Sequence, residues 1–157
     1  MKILFICTHN RCRSILSEAI TNHLSAGKIQ AYSAGSQPVG EVHPLSLKYL
    51  AQQGISIDGL ISQSWDDFAK ENIDIVVTVC DNAANEVCPI WFNDTVKVHW
   101  GLPDPSKLEG SEEEIREAFL QVMQTITLRI NTLLALDLES KSKQQRQSIL
   151  NDLVQEK

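Results

Sequence analysis

The run Ile73 to Val79, IDIVVTV, constrains the architecture more than any other stretch of the chain. It is almost wholly β-branched and bounded by polar residues, so it reads as a strand with no face reserved for water. Such a strand belongs in the middle of a sheet. Three further runs supply its neighbours: Lys2 to Ile6, Ile29 to Ala34 closed by Gly35, and Val96 to Trp100. Helical patterns separate them. Ile15, Leu16, Ala19, Ile20, His23 and Leu24 recur at helical spacing and stop at Gly27, where a helix commonly takes a left-handed residue. Pro44 to Gln53 opens on proline and has Gly54 just past its end. Ser111 to Glu114 has the spacing of a capping box and opens a long helix. Its buried stripe is Ile115, Phe119, Val122, Met123, Ile126, Ile130, Leu133 and Leu134.

Strands that alternate with helices predict an α/β fold: an open, mostly parallel four-stranded sheet with helices on both faces, because parallel neighbours need crossover connections. A chain of 157 residues is the size of one domain. Residues 1–138 are expected to form a single catalytic domain. In 139–157 the polar run Glu139 to Ser148 precedes Ile149, Leu150, Leu153 and Val154, the pattern of a C-terminal tail or a loosely docked helix.

Composition closes off several function classes. A net charge of -6 gives no general attraction to nucleic acid or to an anionic membrane, so any anion site must be local. No apolar stretch approaches the length of about eighteen residues that spans a bilayer. The opening MKILFICTH lacks the apolar core and cleavage site of a signal peptide, so a cytoplasmic location is expected. There the four cysteines serve chemistry or metal binding more often than structural bridges.

In open parallel sheets, ligands bind beyond the carboxyl ends of the strands. The segments Cys7 to Arg13, Cys80 to Cys88 and Gly101 to Pro105 follow the first, third and fourth strands, and all three are expected to face one crevice. The first spells Cys-x5-Arg-Ser at a strand-to-helix junction: Cys7-Thr8-His9-Asn10-Arg11-Cys12-Arg13-Ser14. A thiol near a helix N-terminus sits among unpaired N–H groups that favour negative charge, which predicts a Cys7 thiolate near neutral pH. The same N–H groups suit a tetrahedral oxyanion, and the planar guanidinium of Arg13 can clamp two of its oxygens.

This loop, with Ser33-Ala34-Gly35 and with His99-Trp100-Gly101 through Asp104-Pro105, resembles the low-molecular-weight tyrosine phosphatases and the related arsenate reductases. The likeness covers most of the chain to about Glu109. It implies that Cys7 is the nucleophile, that Arg13 with Thr8, His9, Asn10, Arg11, Cys12 and Ser14 binds the oxyanion, and that Asp104 is the general acid, positioned by Pro103 and Pro105. Asn10 and Ser14 match residues that shape the loop. The plain alternatives are a turn aspartate for Asp104 and helix-start polarity for Ser14. Cys12 is expected to pack inward, and His9 to be an ordinary exposed loop histidine.

The remaining cysteines separate phosphatase from reductase. Hydrolysis needs one thiolate and a water, because phosphorus is not reduced. Reducing arsenate to arsenite takes two electrons, which a second thiol supplies by attacking the sulfur of an arsenylated cysteine and leaving a disulfide. The segment Cys80 to Cys88 resembles the redox region of thioredoxin-coupled arsenate reductases, which implies Cys80 as the intermediate thiol and Cys88 as its resolving partner. Joining them requires the turn between to move. Seven residues separate them, one more than in the best-known thioredoxin-coupled branch, and His9 stands where glycine is frequent. The implied reductant is therefore thioredoxin, or glutaredoxin with glutathione.

The alternative activity is hydrolysis of phosphate monoesters through a phosphocysteine, with Cys80 and Cys88 as buried apolar residues. Against it, Ser106-Lys107-Leu108 lacks the adjacent aromatics that line a phosphotyrosine cleft. A non-catalytic oxyanion or redox sensor is a further class. No cofactor or metal is expected: the cysteine pairs lack the C-x2-C spacing of structural zinc. Glu18 and Ser33 match positions that bind potassium in some relatives, but Ser56 stands where an acidic ligand belongs.

Overall fold

The computed structural model describes residues 1–80 and 95–155. Four strands form one sheet in the order β2-β1-β3-β4: β1 (Lys2–Ile6), β2 (Gln30–Ala34), β3 (Ile75–Thr78) and β4 (Val96–His99). Every neighbouring pair is parallel, so the sheet is wholly rather than mostly parallel. Ile3, Leu4, Phe5 and Ile6 are each at most 1% exposed, as are Ile75 and Val77 of β3. Consecutive strand residues point to opposite faces, so the sheet is covered on both sides, as the continuous apolar runs require.

Helix α1 (Arg13–Ser25) connects β1 to β2 and stops on two left-handed residues, Ala26 at φ 49° and Gly27 at φ 93°. The first left-handed residue is thus Ala26, one position before the glycine. Helix α2 (Pro44–Gln52) starts on proline, with the His43 imidazole accepting from the Leu45 N–H at 3.1 Å. Helix α3 (Glu112–Ala135) begins at the capping box: the Ser111 hydroxyl accepts from the Glu114 N–H at 3.1 Å. Phe119, Val122, Met123, Ile126, Ile130 and Leu133 are buried along one stripe, and Tyr49 of α2 lies against Phe119 with ring centroids 5.1 Å apart.

Helix α4 (Lys143–Gln155) packs on β4 and buries Leu150 completely. The Gln147 side chain accepts from the Lys97 N–H at 3.1 Å and donates to the Lys97 carbonyl at 2.6 Å, and the Trp100 indole donates to the Leu150 carbonyl at 3.5 Å. No helix among the described residues is long and apolar enough to cross a membrane.

Candidate active site

Beyond β1 the chain turns outward, and its carbonyls are taken by surrounding elements. Those of Thr8 and His9 accept from the N–H groups of Gln37 and Val39 at 2.9 and 3.2 Å, and that of Arg11 accepts from the His43 N–H at 2.9 Å. The first turn of α1 has no side-chain cap, because its N-cap residue is Cys12. Its orphan donors therefore stay available to an anion. Asn10 holds the sharpest part of the loop: at φ 49° and fully buried, it donates to the Ser14 hydroxyl at 2.8 Å and accepts from the Gln63 N–H at 2.8 Å. A Cβ on Gly35 would come within 2.7 Å of the Cys7 carbonyl and closer still to that of Thr8. Glycine is thus the residue that lets β2 pass under the loop.

The register that pairs Ile6 with Thr78 places Thr8 beside Cys80, just past the end of β3. The Thr8 N–H reaches the Cys80 sulfur at 3.4 Å, and the Thr8 hydroxyl lies 3.7 Å from it. Cys7 and Cys80 are buried, at 7% and 3% exposure, and line the same cavity. The neighbouring Cys80 thiol first, and burial second, push the Cys7 thiol up from its ordinary range, while the Arg13 guanidinium pulls it down. The direction is opposite to the thiolate expected near neutral pH. The expectation counted the helix N-terminus and the arginine, but not a second thiol packed against the first. Burial likewise pushes Cys12 up to about 11, in keeping with a side chain packed into the core at 3% exposure.

Arg13 crosses the pocket to the loop after β4. It donates to the Leu102 carbonyl at 3.1 Å and to Asp104 Oδ2 at 3.4 Å, and both side chains of this ion pair are about 15% exposed. Its Nε is buried with no acceptor among the described residues. Together with Lys107, these groups line a cavity of about 100 Å³, walled by Cys7, Cys12, Cys80 and Asp104. The space suits a small tetrahedral oxyanion, faced at once by two thiols, a guanidinium and a carboxyl. A larger cleft of about 890 Å³ lies near Met1 and the end of α3, and contains none of these groups.

Residues 2–147 match the model of the low molecular weight phosphotyrosine protein phosphatase family. The chain belongs to that family. Within it, the chain is 38% identical over 130 residues to an arsenate reductase of Halalkalibacterium halodurans, covering 83% of this chain and 92% of that one. A glutaredoxin arsenate reductase of Synechocystis sp. is 31% identical over 134 residues, 85% of this chain and 96% of its own. A solved arsenate reductase in its phosphate-binding state superposes with a TM-score of 0.71 at 29% identity, covering 85% of this chain and 96% of that one.

Of the residues singled out from the sequence of this phosphatase-family chain, Cys7, Thr8, His9, Arg11, Cys12, Arg13, Cys80 and Asp104 line one cavity. Asn10 and Ser14 brace it from behind. Cys88, and the turn expected to carry it toward Cys80, lie outside the described residues. Glu18 and Ser33 meet, the Ser33 hydroxyl donating to Glu18 Oε1 at 2.5 Å, whereas Ser56 is exposed and accepts from the Asp58 N–H at 3.3 Å. Among the described residues no cluster of three His, Cys, Asp or Glu side chains is placed to hold a metal. Sequence reasoning missed two participants. Gln63 ties the loop to β2, bonding both Asn10 and the Ser33 carbonyl, and carries no local signal. Ser106 clasps Asp104, and here a signal existed: a hydroxyl two residues after an aspartate is a turn pattern.

Proposed function

We propose that this chain reduces arsenate to arsenite through a cysteine nucleophile and a disulfide relay. The observation that carries the proposal is the pair of buried thiols, Cys7 and Cys80, in the wall of one oxyanion-sized cavity that also holds Arg13 and Asp104. Arsenate enters the loop from Thr8 to Ser14, its oxygens taken by backbone N–H groups and by Arg13. The Cys7 sulfur attacks arsenic as its thiol proton passes to Asp104, and Asp104 hands that proton to an arsenate hydroxyl, which leaves as water. Cys80 then attacks the Cys7 sulfur. The sulfur–arsenic bonding pair passes to arsenic, releasing arsenite and leaving a Cys7–Cys80 disulfide. Cys88 takes Cys80 into a second disulfide, which frees Cys7 and hands the oxidised pair to an external thiol protein. We assign that role to thioredoxin, or to glutaredoxin with glutathione. The catalytic groups fall within 1–138, with 139–157 as an appended segment.

Cys7, Arg13 and Asp104 alone suffice for phosphate monoester hydrolysis, which makes that activity the control. Arsenate-dependent NADPH oxidation is measured with a thioredoxin system and with a glutaredoxin–glutathione system, beside aryl phosphate hydrolysis. Cys7→Ser should lose both activities, and Cys80→Ser should lose reduction alone. Hydrolysis without arsenate turnover in the unmodified protein would make the chain a phosphatase, and equal loss of both activities in Cys80→Ser would refute the division of labour.

A further inference from the structure

Asp104 is held by both of its carboxyl oxygens, and the two are held differently. Oδ1 accepts twice from one residue, from the Ser106 N–H at 3.0 Å and from the Ser106 hydroxyl at 2.5 Å. Among the described residues Oδ2 meets the Arg13 guanidinium alone, at 3.4 Å. An oxygen with both in-plane lone pairs committed to donors is a poor carrier for a proton that must be given away. The oxygen facing Arg13 is not so committed. Its partner is also the group that an arriving oxyanion engages, because Arg13 Nε is buried without an acceptor among the described residues and its fork suits two oxygens at once. A guanidinium drawn to the anion would leave Oδ2 without that partner, beside the bound oxyanion.

We propose that Ser106 is a positioning residue for proton donation. Its hydroxyl dedicates Oδ1 to the loop, and so keeps Oδ2 as the oxygen that carries the proton when Arg13 turns to the substrate. This rests on the assignment of Asp104 as general acid. Asp104 caps the single turn Pro105–Lys107, and the prolines on either side of it have fixed φ. Rotation about the side chain is what the Ser106 hydroxyl restrains. In the step itself the Cys7–arsenic bond forms and the bond from arsenic to the departing oxygen breaks. Oδ2 takes up the proton that the Cys7 thiol gives up as its sulfur attacks and passes it to the departing hydroxyl, which leaves as water, so Asp104 ends as a carboxylate still bound to Ser106.

The test compares Ser106→Ala, Ser106→Thr and Asp104→Asn in single-turnover release of arsenite by the fully reduced protein, with binding of inorganic phosphate measured by calorimetry. Ser106→Ala retains the backbone N–H bond and loses the hydroxyl, so its rate should fall about tenfold, as for one hydrogen bond to a charged group. Its phosphate affinity should be unchanged, and Ser106→Thr should recover the rate to within about twofold. A full rate in Ser106→Ala beside a slow Asp104→Asn would overturn the inference, and so would a parallel loss of rate and phosphate affinity, which marks a loop that has simply moved. A full rate in Asp104→Asn would overturn the general-acid assignment beneath it.

Discussion

Glu18 projects from α1 with its carboxyl largely buried beside the Ser33 hydroxyl. Burial raises it from its ordinary value of 4.5 to about 7, against the pull of two hydrogen bonds from Ser33. Between these values the folded protein holds a proton that the unfolded chain has released. The native state then binds more protons, so stability falls as pH rises through this window, and the loss is complete above about 7. Below 4.5 both states are protonated and the contribution vanishes. At about 1.36 kcal/mol per pH unit the full effect is about 3 kcal/mol, of which about 2.5 kcal/mol falls between pH 5 and pH 8. Glu18→Gln keeps the shape and the acceptor of the neutral acid and cannot ionise. Urea unfolding of both proteins at the two pH values should therefore show the variant gaining about 2.5 kcal/mol on the parent as pH rises. Other titrating groups cancel in the comparison. Parallel stability profiles would mean that Glu18 ionises as readily folded as unfolded, and the argument from burial would be wrong.

Two further substitutions probe the frame around the site. Gly35→Ala sets a methyl group against the Cys7 and Thr8 carbonyls, neither of which is a flexible side-chain end. Overpacking there should cost about 1–3 kcal/mol and weaken phosphate binding together with stability, measured by calorimetry and denaturant melts; tight phosphate binding in a destabilised variant would dissociate β2 from the loop. Leu150→Ala empties a fully buried position between α4 and β4 and should cost about 2–5 kcal/mol in the same melts. A cost below about 0.5 kcal/mol would show that α4 contributes little to the cooperative unit.

What the sequence made legible is local or repetitive. β1 and β3 are readable because strands buried on both faces leave continuous apolar runs, and the capping box of α3 is readable because Ser111 and Glu114 are three residues apart. Cys7 and Arg13 belong to one loop, so their spacing carries their meaning. The approach of Cys80 to Cys7 is one step less direct, since it follows from two parallel strands ending side by side. Beyond that, the contacts join elements far apart in the chain. The Arg13–Asp104 pair spans 91 positions, and no pattern in either segment announces it. The sign of the perturbation at Cys7 depends on a thiol contributed by another strand, which a reading of the loop alone leaves out. The polar run before Leu150 leaves docking open, because the groups that dock are two leucines, Leu150 and Leu153, and an amide that bonds to strand backbone.

That amide has a consequence for how the molecule keeps to itself. Among the described residues β4 is the last strand on its side of the sheet, so one rank of its backbone donors and acceptors faces away from β3. Gln147 meets the N–H and the carbonyl of Lys97 with its own carbonyl and N–H, which is the pairing a fifth strand would offer. An open rank in that position is a template on which another chain can add itself, strand to strand. On that pairing, a chain cut short before Lys143 is expected to expose this rank of β4 and to run larger than a monomer in size-exclusion chromatography; a monomeric truncation would show that Gln147 does not guard the edge.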